Sequence, residues 1–316
     1  MISSRAMQII VLGAGAIGSL YGAKLAAKND VTLIGRPEHV AAINANGLRI
    51  EGLESQVARM RAVTAIETLR PNTLVLLTTK VPDSFTAAAS LAPLVREDTT
   101  ILSLQNGLGT EDIVREALRG RGVVLRGFTQ FGGVFKEPGV IDFLARGYTV
   151  IEQHERSAEI ARVFTAANLD CRVSPDIRRD VWYKLIVNCV VNPITAMMGC
   201  EVGGIANPQL LRLKRLVIDE CLAIAATQGI AFDCDFNREI DDFFRPSHNI
   251  ASMLQDLRRG RPTEIDYMNG AVAALGARQG MPCPVNHALT AVIKAMEAQS
   301  RSLFPEKMLE TQAAEA

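Results

Sequence analysis

The run Gly13-Ala14-Gly15-Ala16-Ile17-Gly18 limits what this chain can fold into more than any other stretch. It follows Gln8-Ile9-Ile10-Val11-Leu12, which reads as a buried strand, and it opens an apolar segment that runs to about Lys28 with helical spacing. In a strand–turn–helix unit each glycine has its own task. The first makes the tight turn, the second lets backbone approach a pyrophosphate, and the third lets helix pack on strand. The helix N-terminus then offers N–H groups and a positive dipole end to phosphate. G-x-G-x-x-G alone is a weak signal, but between a strand and a helix it predicts a dinucleotide site.

The first half of the chain repeats this alternation. Val31-Thr32-Leu33-Ile34, Leu74-Val75-Leu76-Leu77-Thr78 and Thr100-Ile101-Leu102-Ser103-Leu104 are short apolar runs, with helical segments near 83–92 and 110–119. Such runs fit strands covered on both faces, as in a parallel sheet. Hairpin-like strands are expected around Pro138-Gly139, and the sheet region closes near Ser174-Pro175. From about Asp176 the pattern turns helical, with segments near 180–198, 208–228, 249–259, 263–279 and 285–303. Asn207-Pro208 starts one helix, while Gly229 and Gly280 stop others. The expected fold is α/β plus all-α: a Rossmann-type parallel sheet domain over residues 1–175, then a helical domain over 176–316.

Composition narrows the function. The 316 residues carry 34 basic and 34 acidic side chains, so no basic excess draws the chain to nucleic acid or a membrane surface. The six cysteines are scattered without a C-x-x-C pair, which reads as reduced thiols in a cytoplasmic protein. The four histidines show no metal-ligand spacing, and no metal is expected. Residues 1–6 lack the apolar core of a secretory signal and read as a short extension before Met7; residues 310–316 read as disordered.

Two features refine the dinucleotide reading. NAD-binding versions of the unit place an acid at the end of the second strand to hold the ribose 2′-hydroxyl. This chain has no acid from Val31 to Pro37, and Arg36 stands in that place. A guanidinium there can hold a 2′-phosphate, which favours NADP(H); a plain surface arginine is the other reading. Lys80 and Asn106 each follow the end of an apolar strand, the edge at which open α/β sheets bind ligands.

The most informative helix is Trp182-Tyr183-Lys184-Leu185-Ile186-Val187-Asn188-Cys189-Val190-Val191-Asn192-Pro193. Lys184, Asn188 and Asn192 recur every four residues and form one stripe that drifts roughly 40° per step. Apolar residues fill most other positions, so the helix is buried on most sides and its polar stripe should line a wet cleft or a ligand. The two asparagines and Pro193 argue against a membrane span, and Pro193 is expected to kink the helix. Lysine can stabilise the negative charge that hydride transfer builds on a carbonyl oxygen and donate the proton, while the amides orient the substrate.

These residues together resemble the ketopantoate reductase family over nearly the whole chain. The resemblance is carried by the glycine turn, Thr79-Lys80, Gln105-Asn106-Gly107, the Lys184/Asn188/Asn192 helix, Ser252-Met253-Leu254-Gln255-Asp256 and Thr263-Glu264-Ile265-Asp266. It implies a Rossmann domain followed by a helical domain like that of 6-phosphogluconate dehydrogenase, and NADPH-dependent reduction of 2-dehydropantoate to (R)-pantoate. It makes Lys184 the proton donor and a substrate anchor, with Asn188, Asn192, Asn249 and Ser252 on the substrate and Asn106 on both substrate and cofactor. Gly13, Ala14, Gly15, Ala16, Ile17, Gly18, Arg36, Lys80, the backbone near Gly133 and Glu264 fall on the cofactor side. By spacing alone, Glu264 and Ser252 could equally be charge and polarity at helix starts.

One departure stands out. Where many family members carry an Asn-Gly that contacts substrate, this chain reads Val202-Gly203-Gly204. A relative acting on another 2-oxo acid is therefore a second reading, and a non-catalytic NADP(H) sensor a third. The intact stripe argues against the sensor. The sequence leaves the oligomeric state open, a homodimer being one option.

Overall fold

The computed structural model describes residues 7–303; the expected N-terminal extension and disordered tail lie outside the described residues. The chain divides into two compact units. One holds the chain up to Gln105 together with Gly109–Ile177, the other Asn106–Leu108 together with the chain from Arg178 onward.

The first unit is built on an eight-stranded sheet. Its strands are β1 (Gln8–Leu12), β2 (Asp30–Ile34), β5 (Arg61–Val63), β6 (Leu74–Leu77), β7 (Thr100–Ser103), β8 (Val123–Thr129), β11 (Thr149–Glu152) and β12 (Cys171–Ser174). They are arranged β12-β11-β8-β7-β6-β1-β2-β5. Val11 pairs with Leu33 on one side and Leu76 on the other, both parallel, and all three are buried, as a sheet covered on both faces requires. The sheet is mixed rather than wholly parallel, because β11 runs antiparallel to β8.

A second sheet, β4-β3-β10-β9, was not expected. It comprises β3 (Leu48–Gly52), β4 (Gln56–Ala58), β9 (Gly132–Glu137) and β10 (Val140–Ala145), with β9 and β10 forming the hairpin expected around Pro138-Gly139. This sheet explains α1 (Ala16–Leu25), which is buried at every position from Gly18 to Leu25. The helix contacts β1 and β2 of the large sheet and β3, β4, β9 and β10 of the small one. Covered from two sides, it needs no polar face. The remaining helices here are α2 (Pro37–Asn46), α3 (Ser84–Leu91), α4 (Thr110–Ala117) and α5 (Ser157–Thr165).

The second unit is helical: α6 (Ile177–Met198), α7 (Leu211–Thr227), α8 (Phe236–Phe244), α9 (Ser252–Arg258), α10 (Asn269–Arg278) and α11 (Pro284–Leu303). Its core gathers Trp182, Ile186, Cys189 and Ile194 of α6 with Ile218, Cys221 and Ile224 of α7. By length and composition α6 is apolar enough to cross a membrane, but most of it is buried within this unit. Helix α6 continues through Pro193 as one element.

His39 fastens α2 to the layers beside it. Its Nδ1 accepts from the Gly139 N–H at 2.9 Å, so the proton sits on Nε2, which meets Ser19 Oγ at 3.0 Å. Burial pulls its pKa from 6.5 to about 4. The folded protein thus binds fewer protons than the unfolded chain between those values, and the histidine's contribution is complete above pH 6.5 and falls as pH drops toward 4. Urea unfolding should show wild type losing about 2 kcal/mol more than His39→Gln between pH 7 and 4.5. Equal losses would mean that the neutral imidazole is not the group responsible.

Candidate functional site

The crossover from β5 to β6 places consecutive strands on opposite sides of β1, which makes the β1/β6 edge the switch point of the sheet. The glycine turn leaves β1 at that point. Gly13 has φ +107°, and a Cβ on it would sit 2.6 Å from the Thr79 nitrogen just beyond β6. A side chain on Gly18 would overlap the Gly13 carbonyl. A Cβ on Gly15, by contrast, would meet nothing within 4 Å. Two glycines are thus required by packing, and the middle one faces open space.

The turn is also tied down. The Gly13 and Ala14 N–H groups both donate to Ile34 O, at 3.1 and 2.9 Å, and Thr78 Oγ1 donates to Gly13 O at 2.8 Å. No side chain caps the first turn of α1, whose N-cap is Gly15. Open space at Gly15 before an uncapped helix start fits a pyrophosphate.

The other residues expected beside a cofactor fall around this turn. Arg36 is exposed at the N-cap of α2, two residues past Ile34; the intervening Gly35 has no room for a Cβ because Ala14 lies 2.8 Å away. Gly133 on β9 faces the start of α1, where a Cβ would lie 3.9 Å from that of Ala16. Lys80 is half-buried directly after Thr79. Thr79 is held by Gln105, whose Nε2 donates to the Thr79 carbonyl at 2.8 Å and to Ser84 Oγ. Buried Arg126 donates to the Gln105 carbonyl at 2.8 Å. Sequence reading gave Gln105 no task of its own; the signal available was a polar residue closing an apolar strand.

The second unit holds the rest. Lys184 and Asn188 are half-buried on α6, and Asn192 is 8% exposed, its Nδ2 lying 3.6 Å from Met268 Sδ. Asn106 follows β7 in sequence but packs with this unit, and its Nδ2 donates to buried Glu264 Oε2 at 3.1 Å. The donor end of the amide is thereby engaged, leaving Oδ1 to accept. Leu108 N donates to Tyr267 O at 3.1 Å, which pins the same loop. Asn249 and Ser252 are exposed at the start of α9. The Asn249 carbonyl accepts from Val202 N at 2.8 Å, while the Val202 side chain is buried in the apolar core. Among the described residues no group of three His, Cys, Asp or Glu is placed to hold a metal ion.

Comparison with known proteins covers both units. Residues 9–156 match the family model described as ketopantoate reductase PanE/ApbA, and residues 176–297 match its C-terminal counterpart. A 2-dehydropantoate 2-reductase of Pyrococcus horikoshii is 41% identical, over 92% of this chain and 98% of its own. One from Archaeoglobus fulgidus is 32% identical, over 93% and 99%. The crystal structure of a PanE/ApbA family ketopantoate reductase from Ralstonia eutropha has a TM-score of 0.86 at 31% identity, covering 93% of this chain and 100% of that one. D-mandelate dehydrogenase with NADH and anilino(oxo)acetate has a TM-score of 0.83 at 25% identity, covering 93% and 99%.

The three glycines predict distinct variants. Gly15→Ala should fold with wild-type stability yet lose dinucleotide affinity by ~10-fold or more, because its methyl would fill space left for phosphate. Gly13→Ala should instead be destabilised, by strain and by collision with Thr79. Thermal melts with dinucleotide titrations separate the two, and tight binding by Gly15→Ala would remove the phosphate from that space.

Proposed function

The chain belongs to the ketopantoate reductase family, and on that premise we propose that it reduces 2-dehydropantoate to (R)-pantoate with NADPH, on the route to pantothenate and coenzyme A. The observation that carries this reading is the Lys184/Asn188/Asn192 stripe on a largely buried helix. A lysine and two carboxamides along one line of such a helix must each be paired or face a polar ligand.

The residues divide the work. NADPH, when bound, supplies the hydride. Gly15 and the uncapped start of α1 hold its pyrophosphate, Arg36 its 2′-phosphate, and Lys80 and Gly133 border the same turn. The first domain is thus the NADP-binding one, and the helical domain carries substrate and catalysis. Lys184 donates its proton from Nζ to the carbonyl oxygen as negative charge develops there. Asn188 and Asn192 lie one and two turns farther along α6, about 6 Å apart per step, and orient the substrate's polar groups. Asn249 and Ser252 add hydrogen bonds from the start of α9. Glu264 holds Asn106 so that its carboxamide keeps one orientation toward substrate and cofactor. The substrate is a small 2-oxo acid, and the compartment the cytoplasm, where six free cysteines stay reduced.

One observation favours a second reading. Val202 buries an apolar side chain in the core where many family members carry an asparagine that meets the substrate. A site without that partner suits a more apolar 2-oxo acid, and a structural neighbour, D-mandelate dehydrogenase, is bound to anilino(oxo)acetate.

Two variants test the assignments. Lys184→Ala should lower kcat by ~10² or more if the lysine is the general acid; near-wild-type kcat would remove that role. Arg36→Ala should weaken NADPH far more than NADH, measured as the ratio of dissociation constants. An unchanged ratio would mean that the guanidinium does not hold the 2′-phosphate.

A further inference from the structure

In an α-helix the N–H of residue 193 would donate to the carbonyl of residue 189. Pro193 has no N–H, so that bond is absent from the middle of α6. The Cys189 residue is fully buried, and a buried carbonyl without a donor is costly. The carbonyl nevertheless has a donor: Asn269 Nδ2, 2.9 Å away, from the first residue of α10.

The orientation of that amide is fixed by a chain of bonds. Glu220 accepts the Val285 and Asn286 N–H groups at the start of α11, at 2.8 and 2.9 Å, and also Asn286 Nδ2 at 2.7 Å. A carboxylate accepts only, so the donor end of Asn286 must face it and Oδ1 must face the other way. Asn286 Oδ1 then accepts from Asn269 Nδ2 at 2.9 Å. Both amide protons of Asn269 are thus used, one on Asn286 and one on α6. Its own Oδ1 is buried without a partner among the described residues. A leucine here would avoid that cost but would take the donor from the Cys189 carbonyl and from Asn286 Oδ1.

The neighbours of Asn269 act on the same parts. Met268 meets Asn192, Tyr267 accepts from Leu108, and Glu264 holds Asn106. The carbonyl that Asn269 holds lies directly after Asn188, and the proline directly after Asn192. A turn left open between residues 189 and 193 would let both carboxamides swing.

Building on the reductase reading of α6, we propose that Asn269 is a positioning residue. Its side chain replaces the helical hydrogen bond that Pro193 removes, and so sets the direction of Asn188 and Asn192 toward the substrate. It touches no substrate itself.

The test compares wild type, Asn269→Leu, Pro193→Ala and the double variant by steady-state kinetics, NADPH binding and hydrogen exchange along α6. Asn269→Leu should raise KM for 2-dehydropantoate and lower kcat/KM by ~10-fold or more, since misplacement by about 1 Å can cost ~10². NADPH affinity should be unchanged. Pro193→Ala returns an N–H to position 193, so the double variant should recover most of the loss. Wild-type kcat and KM in Asn269→Leu, or a folded double variant no better than the single one, would overturn the proposal. Should Asn269→Leu fail to fold, the double variant with the kinetics of Pro193→Ala supports it, and a folded but impaired one refutes it. Hydrogen exchange over 188–196 should quicken in Asn269→Leu and slow again in the double variant. That readout separates the two ideas. Wild-type protein that turns over no 2-oxo acid would end the reductase reading, while unchanged exchange would show that Asn269 does not hold α6.

Discussion

The close approach of Gly13 to Thr79 decides what the carboxyl edge of the large sheet can do. Only a residue without Cβ fits there, with φ +107° and the Thr79 nitrogen within 2.6 Å of where a Cβ would stand. Because the turn closes so tightly onto the end of β6, α1 begins directly above the switch point and points its N-terminus outward. Gln105 and Arg126 extend the same clamp, holding Thr79 from β7 and Gln105 from β8. The edge is therefore tied down beyond β6 and β7, and of the three turn glycines Gly15 is the one that faces open space.

The helical unit meets the opposite difficulty, that of keeping polar groups inside a core. Lysine and asparagine on a buried helix must each be paired or turned to a ligand. The chain does this with long-range partners: Glu264 for Asn106, Met268 for Asn192, and Asn269 for the carbonyl freed by Pro193. All three partners come from the six residues Glu264 to Asn269. That short stretch links α6 to the Asn106 loop.

How much of this the sequence disclosed depended on whether the signal was local. Strand, glycine turn and helix lie within eighteen consecutive residues, and the polar stripe repeats every four, so both were readable. Apart from its β9–β10 hairpin, the small sheet was not. β4 has three residues, as does β5 at the edge of the large sheet, and β3 alternates Leu48 and Ile50 with charged Arg49 and Glu51, too short a pattern to separate from a loop. Helix α8 escaped although Asp235 caps Arg238 N at 3.2 Å and Phe236 and Ile240 share its buried face. Asn269, which donates to the carbonyl that an N–H at position 193 would otherwise serve, lies 76 residues after the proline. Nothing local marks Asn269 as that donor.

The central claim is that the open glycine turn and the α6 stripe serve one reaction, reduction of a 2-oxo acid by NADPH. Initial rates of NADPH oxidation by the purified protein, across 2-dehydropantoate and a series of other 2-oxo acids, test it most directly. The account predicts turnover of 2-dehydropantoate to (R)-pantoate, with NADH a poorer donor. Normal NADPH binding with no turnover of any 2-oxo acid would contradict it.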